Sequence, residues 1–418
     1  MWLLKDFKKK VKKTPINIRK KETPRYKLMV QMMPIQTFRH TLLGLFFSII
    51  SIAQTTERVI TTGVPFLLIT PDARAAGMGD LGVATTPDAY AQQWNPAKYP
   101  FSETPTGVGI SYTPYLSKLV NDIFLGNITY FKQMGERSAW ASSLKYFSLG
   151  DIQFNDINSG TIVNQSLERP NELTLDLSYS LKLSDNFAMA VAGRYIRSDL
   201  KISTDVDARS ANTLGVDIAA FYQSNPKTVG KNDMRFRSGF NISNVGPRLV
   251  YDVGGRKNFL PTNLKIGSSL DWIFDAQSNL SFNMELNKLL VPSPVASINE
   301  NGTLLYEQPD VNFLRGMLDS FNDAQDGFSE ELKEITWAFG MEYNFQNVFA
   351  LRSGYFHESQ DKGSRRFVTF GTGFHINQMV VDISYLFSTS TVRSPLENTL
   401  RFSLSFDLST GLALPEDE

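Results

Sequence analysis

Residues 172–183 read ELTLDLSYSLKL. Leu173, Leu175, Leu177, Tyr179, Leu181 and Leu183 fall on one side of an extended chain. Thr174, Asp176, Ser178, Ser180 and Lys182 fall on the other. Strict alternation of this kind marks a strand whose two faces meet chemically different surroundings. The pattern returns in 279–287, where Leu280, Phe282, Met284 and Leu286 oppose Ser281, Asn283, Glu285 and Asn287. It returns again in 399–408, where Leu400, Phe402, Leu404, Phe406 and Leu408 oppose Arg401, Ser403, Ser405 and Asp407.

Extended to the rest of the chain, the alternation predicts strands near 106–115, 122–132, 138–148, 172–183, 186–197, 212–223 and 234–244. A second set follows near 262–274, 279–289, 335–345, 348–357, 366–376, 379–389 and 398–408. The strands number fourteen, and their length suits tilted membrane strands of roughly 9–11 residues. Inside them, Lys145, Asp176, Arg194, Asp217, Arg237, Glu285, Glu342, Arg352 and Asp382 all oppose the bulky apolar face, which carries no charge in the central part of any strand. Lipid would enforce that segregation, since a Lys or Arg at mid-bilayer costs about 2–4 kcal/mol. A soluble sandwich would segregate too, with its apolar face inward. Loop length separates the two. Connections after even-numbered strands are short and those after odd-numbered strands are mostly longer, as in an outer-membrane barrel. The expected fold is all-β, a 14-stranded antiparallel transmembrane β-barrel over 105–410 with a long extracellular loop at 290–334. Both termini are then periplasmic, with a short tail at 411–418.

The formal net charge is zero, but the total conceals an asymmetry. Residues 1–40 carry 12 Lys/Arg against 2 Asp/Glu, and the remainder is acidic. LLGLFFSIISI at 42–52 is too short to span a bilayer as a helix, which takes roughly 20 residues. With Arg39 before it and Ala53-Gln54 after it, the stretch reads as a secretory signal, and 1–53 as a removed leader. A precursor starting at Met29, Met32 or Met33 would have a basic region of ordinary length. A nucleic-acid-binding arm is the competing reading of 1–40, and the signal that follows directly argues against it. With no cysteine and only His40, His357 and His375, thiolate and histidine metal centres are not expected.

Fourteen strands enclose more space than wall side chains fill, since that stops working at about eight. Residues 54–104 are the candidate plug, or hatch. They contain PDARAAGMGDLGVATTPDAYAQQWNPAKY, from Pro71 to Tyr99. This stretch closely resembles the N-terminal signature of the PorV family of the type IX secretion system in Bacteroidota. That family falls in the wider FadL-like barrel group, whose hatch also carries an Asn-Pro-Ala sequence like Asn95-Pro96-Ala97. The sister PorQ family shares related features. The resemblance implies fourteen strands and a hatch in which Pro71, Asp72, Arg74, Gly77, Gly79, Trp94, Asn95 and Pro96 are signature positions. It also implies a shuttle role, with a SprA-like translocon, cargo C-terminal domains and a PorU-like sortase as partners, in a membrane of lipid and lipopolysaccharide. No nucleic acid, cofactor or metal is implied. A related family name refers to lipopolysaccharide deacylation, and the residues give that no support.

Gly77 to Gly82 matches G-x-G-x-x-G, yet no βαβ unit surrounds it, so a tight turn in a confined lumen is expected instead of a dinucleotide site. Asp72 and Arg74 are expected to pair with luminal charges. A serine hydrolase needs Ser, His and carboxylate together. No G-x-S-x-G occurs, and His375 reads as a solvated luminal residue. Glu330-Glu331 reads as a solvated charge run, and 323–330 lacks calcium-loop spacing. Phe313, Leu314, Met317, Leu318 and Phe321 recur at helical spacing, which predicts an amphipathic helix over 311–322. It either folds down as a lid or presents an apolar docking face. Leu249, Val250 and Tyr251 in the 245–261 loop are a second docking candidate. The rival function is a FadL-like channel for hydrophobic small molecules, with Phe66, Leu67, Leu68 and Ile69 lining a pocket between hatch and wall. A purely structural barrel is the third.

Overall fold

Alternation along each strand becomes inside and outside only when the sheet closes. In lipid every backbone N–H and C=O needs a partner within the protein, so a sheet without edges is the solution available to strands. A computed structural model describes residues 59–409 apart from 159–160, 201–208, 253, 299–303 and 391–393. The expected leader at 1–53 and tail at 411–418 lie outside the described residues.

Fourteen strands form the wall: β1 Thr106–Pro114, β2 Ile123–Met134, β3 Ser138–Leu149, β4 Asn171–Ser184, β5 Phe187–Asp199, β6 Ala211–Gln223 and β7 Asn232–Val245. They continue as β8 Asn263–Ile273, β9 Asn279–Leu289, β10 Ile335–Phe345, β11 Phe349–His357, β12 Arg366–Ile376, β13 Met379–Ser388 and β14 Leu400–Asp407. Each pairs antiparallel with the next, and β14 returns to β1 with Leu404 opposite Ile110. The fourteen expected strands are therefore present, and the cylinder is closed. The wall is interrupted at β7, whose register against β6 shifts between Ile242 and Val245. That bulge is filled. Asn244 takes a positive φ, its backbone N–H donates to Asp217, and its side-chain amide donates to the Pro261 carbonyl.

On β4 the outward Leu177 is 60% exposed while the inward Asp176 is fully buried. The same division runs round the barrel. Aromatic rings gather at both ends of the outer face, as they do at the two interfaces of membrane barrels. Trp272, Phe274 and Tyr343 cluster at the short-turn end, with centroids 6.2 and 6.4 Å apart. Trp337 packs 5.4 Å from Tyr355 at the other end. Turns at 135–137, 185–186, 274–278, 346–348 and 377–378 close one end, and the long connections crowd the other. Two of these extend as hairpins that periodicity does not reveal, Ile152–Asn158 with Thr161–Glu168 and Val295–Ile298 with Leu304–Glu307. The predicted loop helix is shorter than expected, α3 Phe313–Asp319, and a further helix, α4 Phe328–Lys333, follows it. Two short helices precede the barrel, α1 Ala73–Ala76 and α2 Ala91–Trp94.

Leu177→Lys places a cation on the lipid face at the middle of β4. We expect a loss of about 2–4 kcal/mol, read as a lower urea midpoint for unfolding from lipid vesicles. A loss below 0.5 kcal/mol, about the effect of a surface substitution, would mean that this face does not meet lipid.

Candidate functional site

The hatch fills the lumen through charge. Arg74, on α1, donates to Glu342 of β10 at 2.7 and 2.9 Å and to Asp88 at 2.5 Å. Glu342 also accepts from Arg352 of β11 at 2.6 Å, and Arg352 reaches Asp382 of β13 at 2.7 Å. One buried chain of alternating charge thus runs from the hatch into three wall strands. A second tie joins Asp80 to Arg401 of β14 at 2.8 Å. Asp72 behaves differently from the expected ion pair. Its carboxylate caps α1 by accepting from the Ala75 N–H, and it accepts from the Trp94 indole at 2.8 Å. Burial, then the nearby Asp88, pushes its carboxyl up to about 6.

Backbone groups of the hatch are satisfied by the wall. Glu285 of β9 accepts from the N–H groups of Gly82 and Val83 at 2.8 and 2.9 Å. Asn95 donates to the carbonyls of Val83 and Ala220, and Pro96 begins a 3₁₀ turn that Asn95 caps through the Ala97 N–H. Pro71 accepts from Thr113 of β1. Lys98 is wholly buried and donates to the Gly82 carbonyl and the Thr85 hydroxyl. Burial brings its ammonium down to about 8. Sequence reasoning missed Lys98 and Glu285 as hatch anchors.

Close approach explains the glycines. Gly79 has φ +83°, and a Cβ there would lie 3.0 Å from the Tyr355 backbone. A Cβ on Gly354 would lie 2.1 Å from the Met78 carbonyl carbon, so hatch and wall cross where neither has a side chain. Gly77 meets Gly371 of β12 in the same way, at 3.0 Å.

Above the hatch, at the long-loop end, lies a cavity of about 510 Å³. Leu68, Ile69, Trp94, Phe356 and Phe367 line it together with Lys265, Glu334 and Arg365. Phe66 and Leu67 do not; both are buried among Leu125, Phe147 and Ile196. The Lys265 ammonium lies 4.1 Å from the Trp94 ring centroid and has no carboxylate at ion-pair distance among the described residues.

The docking candidates fall into two groups. Leu249 is buried in the Phe66 cluster, and the half-buried Tyr251 hydroxyl accepts from the Val64 N–H at 3.3 Å, leaving Val250 exposed. Leu314, Leu318 and Phe321 are exposed, whereas Phe313 and Met317 are half-buried. Glu330 and Glu331 are not a solvated run. Both are buried on α4, where Glu331 and Glu334 hold Lys288, and Glu330 and Glu334 hold Lys362, all at 2.7–2.9 Å. The cations come from β9 and the 358–365 loop, far away in sequence. His357 stacks on Trp337 at 5.0 Å on the outer face, and His375 lies on the luminal side of β12.

Two outcomes follow from this geometry. Arg74→Ala leaves Asp88 without its cation and Glu342 with Arg352 alone, and should cost about 3–5 kcal/mol in urea unfolding. Burial pushes the Glu334 carboxyl up, but hydrogen bonds from Lys288, Ser293 and Lys362 outweigh it and hold it below its ordinary value. The clamp's stabilisation is therefore complete above the ordinary carboxylate range and lost as pH falls through the depressed value. Amide exchange over 323–334, corrected for intrinsic rate, should quicken below about pH 4 and not between about pH 5 and 8.

A family model described as Type IX secretion system protein PorV matches residues 52–296, from before the hatch through β9. No curated protein sequence matches the chain. Among solved structures the chain is similar to the toluene transporter TbuX of Ralstonia pickettii, at 13% identity over 81% of this chain and 97% of that one, with TM-score 0.45. It is similar to the toluene transporter TodX of Pseudomonas putida at 13% identity, 84% and 98% coverage and TM-score 0.46. A FadL homologue of Pseudomonas aeruginosa gives 11%, 81%, 98% and 0.41. With more than half of its length matched by that model and a closed fourteen-stranded barrel for a fold, the chain belongs to the PorV family and is an outer-membrane protein of the type IX secretion system.

Proposed function

We propose that this barrel is a non-catalytic adaptor: it binds the C-terminal domains of secreted cargo, receives them from a SprA-like translocon and hands them to the surface complex that contains a PorU-like sortase. Its short turns and both termini face the periplasm, and its long loops face the cell surface. The observation that carries this reading is the contrast between the two ends of the lumen's contents. Hatch and wall are locked together by buried ion pairs, while Leu314, Leu318 and Phe321 stand exposed on the longest loop. Exposed apolar side chains grouped on a loop are a common mark of an interaction site.

The FadL-like uptake channel remains as a second reading, favoured by the cavity between hatch and loops with its apolar side chains and the unpaired Lys265. One experiment separates them. The tagged barrel is recovered in mild detergent from its native host, alongside the variant Leu314→Asp/Leu318→Asp. The adaptor requires co-recovery of translocon, sortase and proteins sharing one C-terminal domain. It also requires about a tenfold loss of those cargo proteins in the variant, equivalent to about 1.4 kcal/mol, with heat-modifiable migration of the barrel unchanged. A barrel recovered alone with an apolar small molecule bound would overturn the adaptor in favour of the channel.

A further inference from the structure

Helix α4 is built inside out for a surface helix. Its acidic residues Glu330 and Glu331 are buried, whereas Phe328 is 76% and Leu332 is 52% exposed. Two large apolar side chains on a six-residue helix are left facing outward while carboxylates are spent on its inner side. Lone exposed apolar residues need no explanation; an inverted helix does.

The clamp beneath it says where the helix sits. Lys288 continues the outward series Leu280, Phe282, Met284 and Leu286 of β9, which elsewhere meets lipid. Its ammonium is nonetheless buried, between Glu331 at 2.9 Å and Glu334 at 2.7 Å. The second cation, Lys362, borders the luminal cavity. The helix therefore straddles the rim of the wall, with its outer end over a strand position of lipid-facing parity. One residue after α4, β10 begins, and its outward Trp337 and Phe339 belong to the belt. Trp337 is stacked with His357 and tilted against Tyr355, an aromatic cluster of the kind found at the membrane interface. The exposed Leu332 and Phe328 lie five and nine residues before Trp337 in sequence, on the helix that leads into this edge.

We propose that α4 is a membrane-interface foot: Phe328 and Leu332 rest in the headgroup region of the leaflet at the long-loop end, and the Glu331–Lys288–Glu334 clamp holds the helix there. Lys333, paired with Asp361 at 2.7 Å and half-exposed, suits the same level, where lysines snorkel towards water. The partner is a lipid surface. The observations favouring it over a protein are that the clamp ties α4 to Lys288, a position of lipid-facing parity, and that the helix runs straight into the strand bearing Trp337. The proposal concerns a different face from Leu314, Leu318 and Phe321 and does not depend on cargo binding.

The chain has no cysteine, so single-cysteine labelling needs no background removal. Phe328→Cys carries a nitroxide in phosphatidylcholine–phosphatidylglycerol vesicles, and its collision with oxygen and with a water-soluble nickel chelate is measured. Leu286→Cys serves as the belt reference and Leu318→Cys as the loop reference. The proposal requires an oxygen-to-nickel ratio for Phe328→Cys several-fold above that of Leu318→Cys and approaching that of Leu286→Cys. It also requires that ratio to fall to the loop value when Lys288→Ala removes the clamp. A label at 328 as open to nickel as the label at 318 would overturn the foot and leave α4 as a protein-docking face. Heat-modifiable migration of each labelled barrel confirms folding, and the high exposure of Phe328 makes its replacement mild.

Discussion

Arg74 is where hatch and wall become a single structure. The wall brings Glu342, Arg352 and Asp382 together on its inner surface, two acids to one base. An unpaired charge in a lumen closed to bulk water costs several kcal/mol. Arg74 supplies the missing cation and is itself shared with Asp88 of the hatch. Neither partner is electrostatically complete alone. The segment from Pro71 to Tyr99 is therefore held by charge and backbone hydrogen bonds as well as by apolar packing, in which Met78 and Leu81 meet Phe356 and Phe367, and Ala91 and Tyr99 meet Phe131.

The same crossing sets a steric condition. Charges pair at 2.7 Å only if the backbones that bear them approach closely, and Gly354, Gly371, Gly77 and Gly79 remove the side chains that would keep them apart. Asp72, Asn95 and Glu285 then absorb the hatch N–H groups that no helix or strand satisfies. Closeness and polarity are coupled: a larger residue at any of these glycines would break hydrogen bonds as well as pack badly.

Much of this was legible in the sequence because two of its causes are local. Alternation in 172–183 reports lipid on one side and lumen on the other, and loop lengths report the two ends. The hatch was legible from its position and from its signature. What escaped is non-local. Glu330-Glu331 looks like a solvated run until Lys288 and Lys362 are brought to it from β9 and the 358–365 loop. Lys288 did leave a trace, being a charge on the apolar parity of its strand. Leu249 and Tyr251 read as a docking candidate in the 245–261 loop, but the start of the hatch reaches up and covers them.

The cover over Leu249 and Tyr251 links the hatch to the long loops. The first described residues of the hatch do not end inside the lumen. Val64 donates to Tyr251, Gly63 donates to the Phe259 carbonyl, and Thr61 accepts from Gln308. Arg248 then ties the 246–262 loop to the longest loop through Asp310 at 2.6 Å and lies over the Phe259 ring. Helix α3 begins three residues after Asp310, its exposed Leu314 is one residue further on, and Gly316 packs α3 onto Phe259. A continuous set of contacts therefore runs from Arg74 in the lumen, along the hatch, to the loop that carries Leu314 and Leu318. Loops of such length would ordinarily sample many conformations, at an entropic cost to any partner that binds them. Anchoring them on a segment that is itself locked into the wall removes part of that cost in advance, and in the proposed adaptor this is what the plugged lumen would contribute to binding.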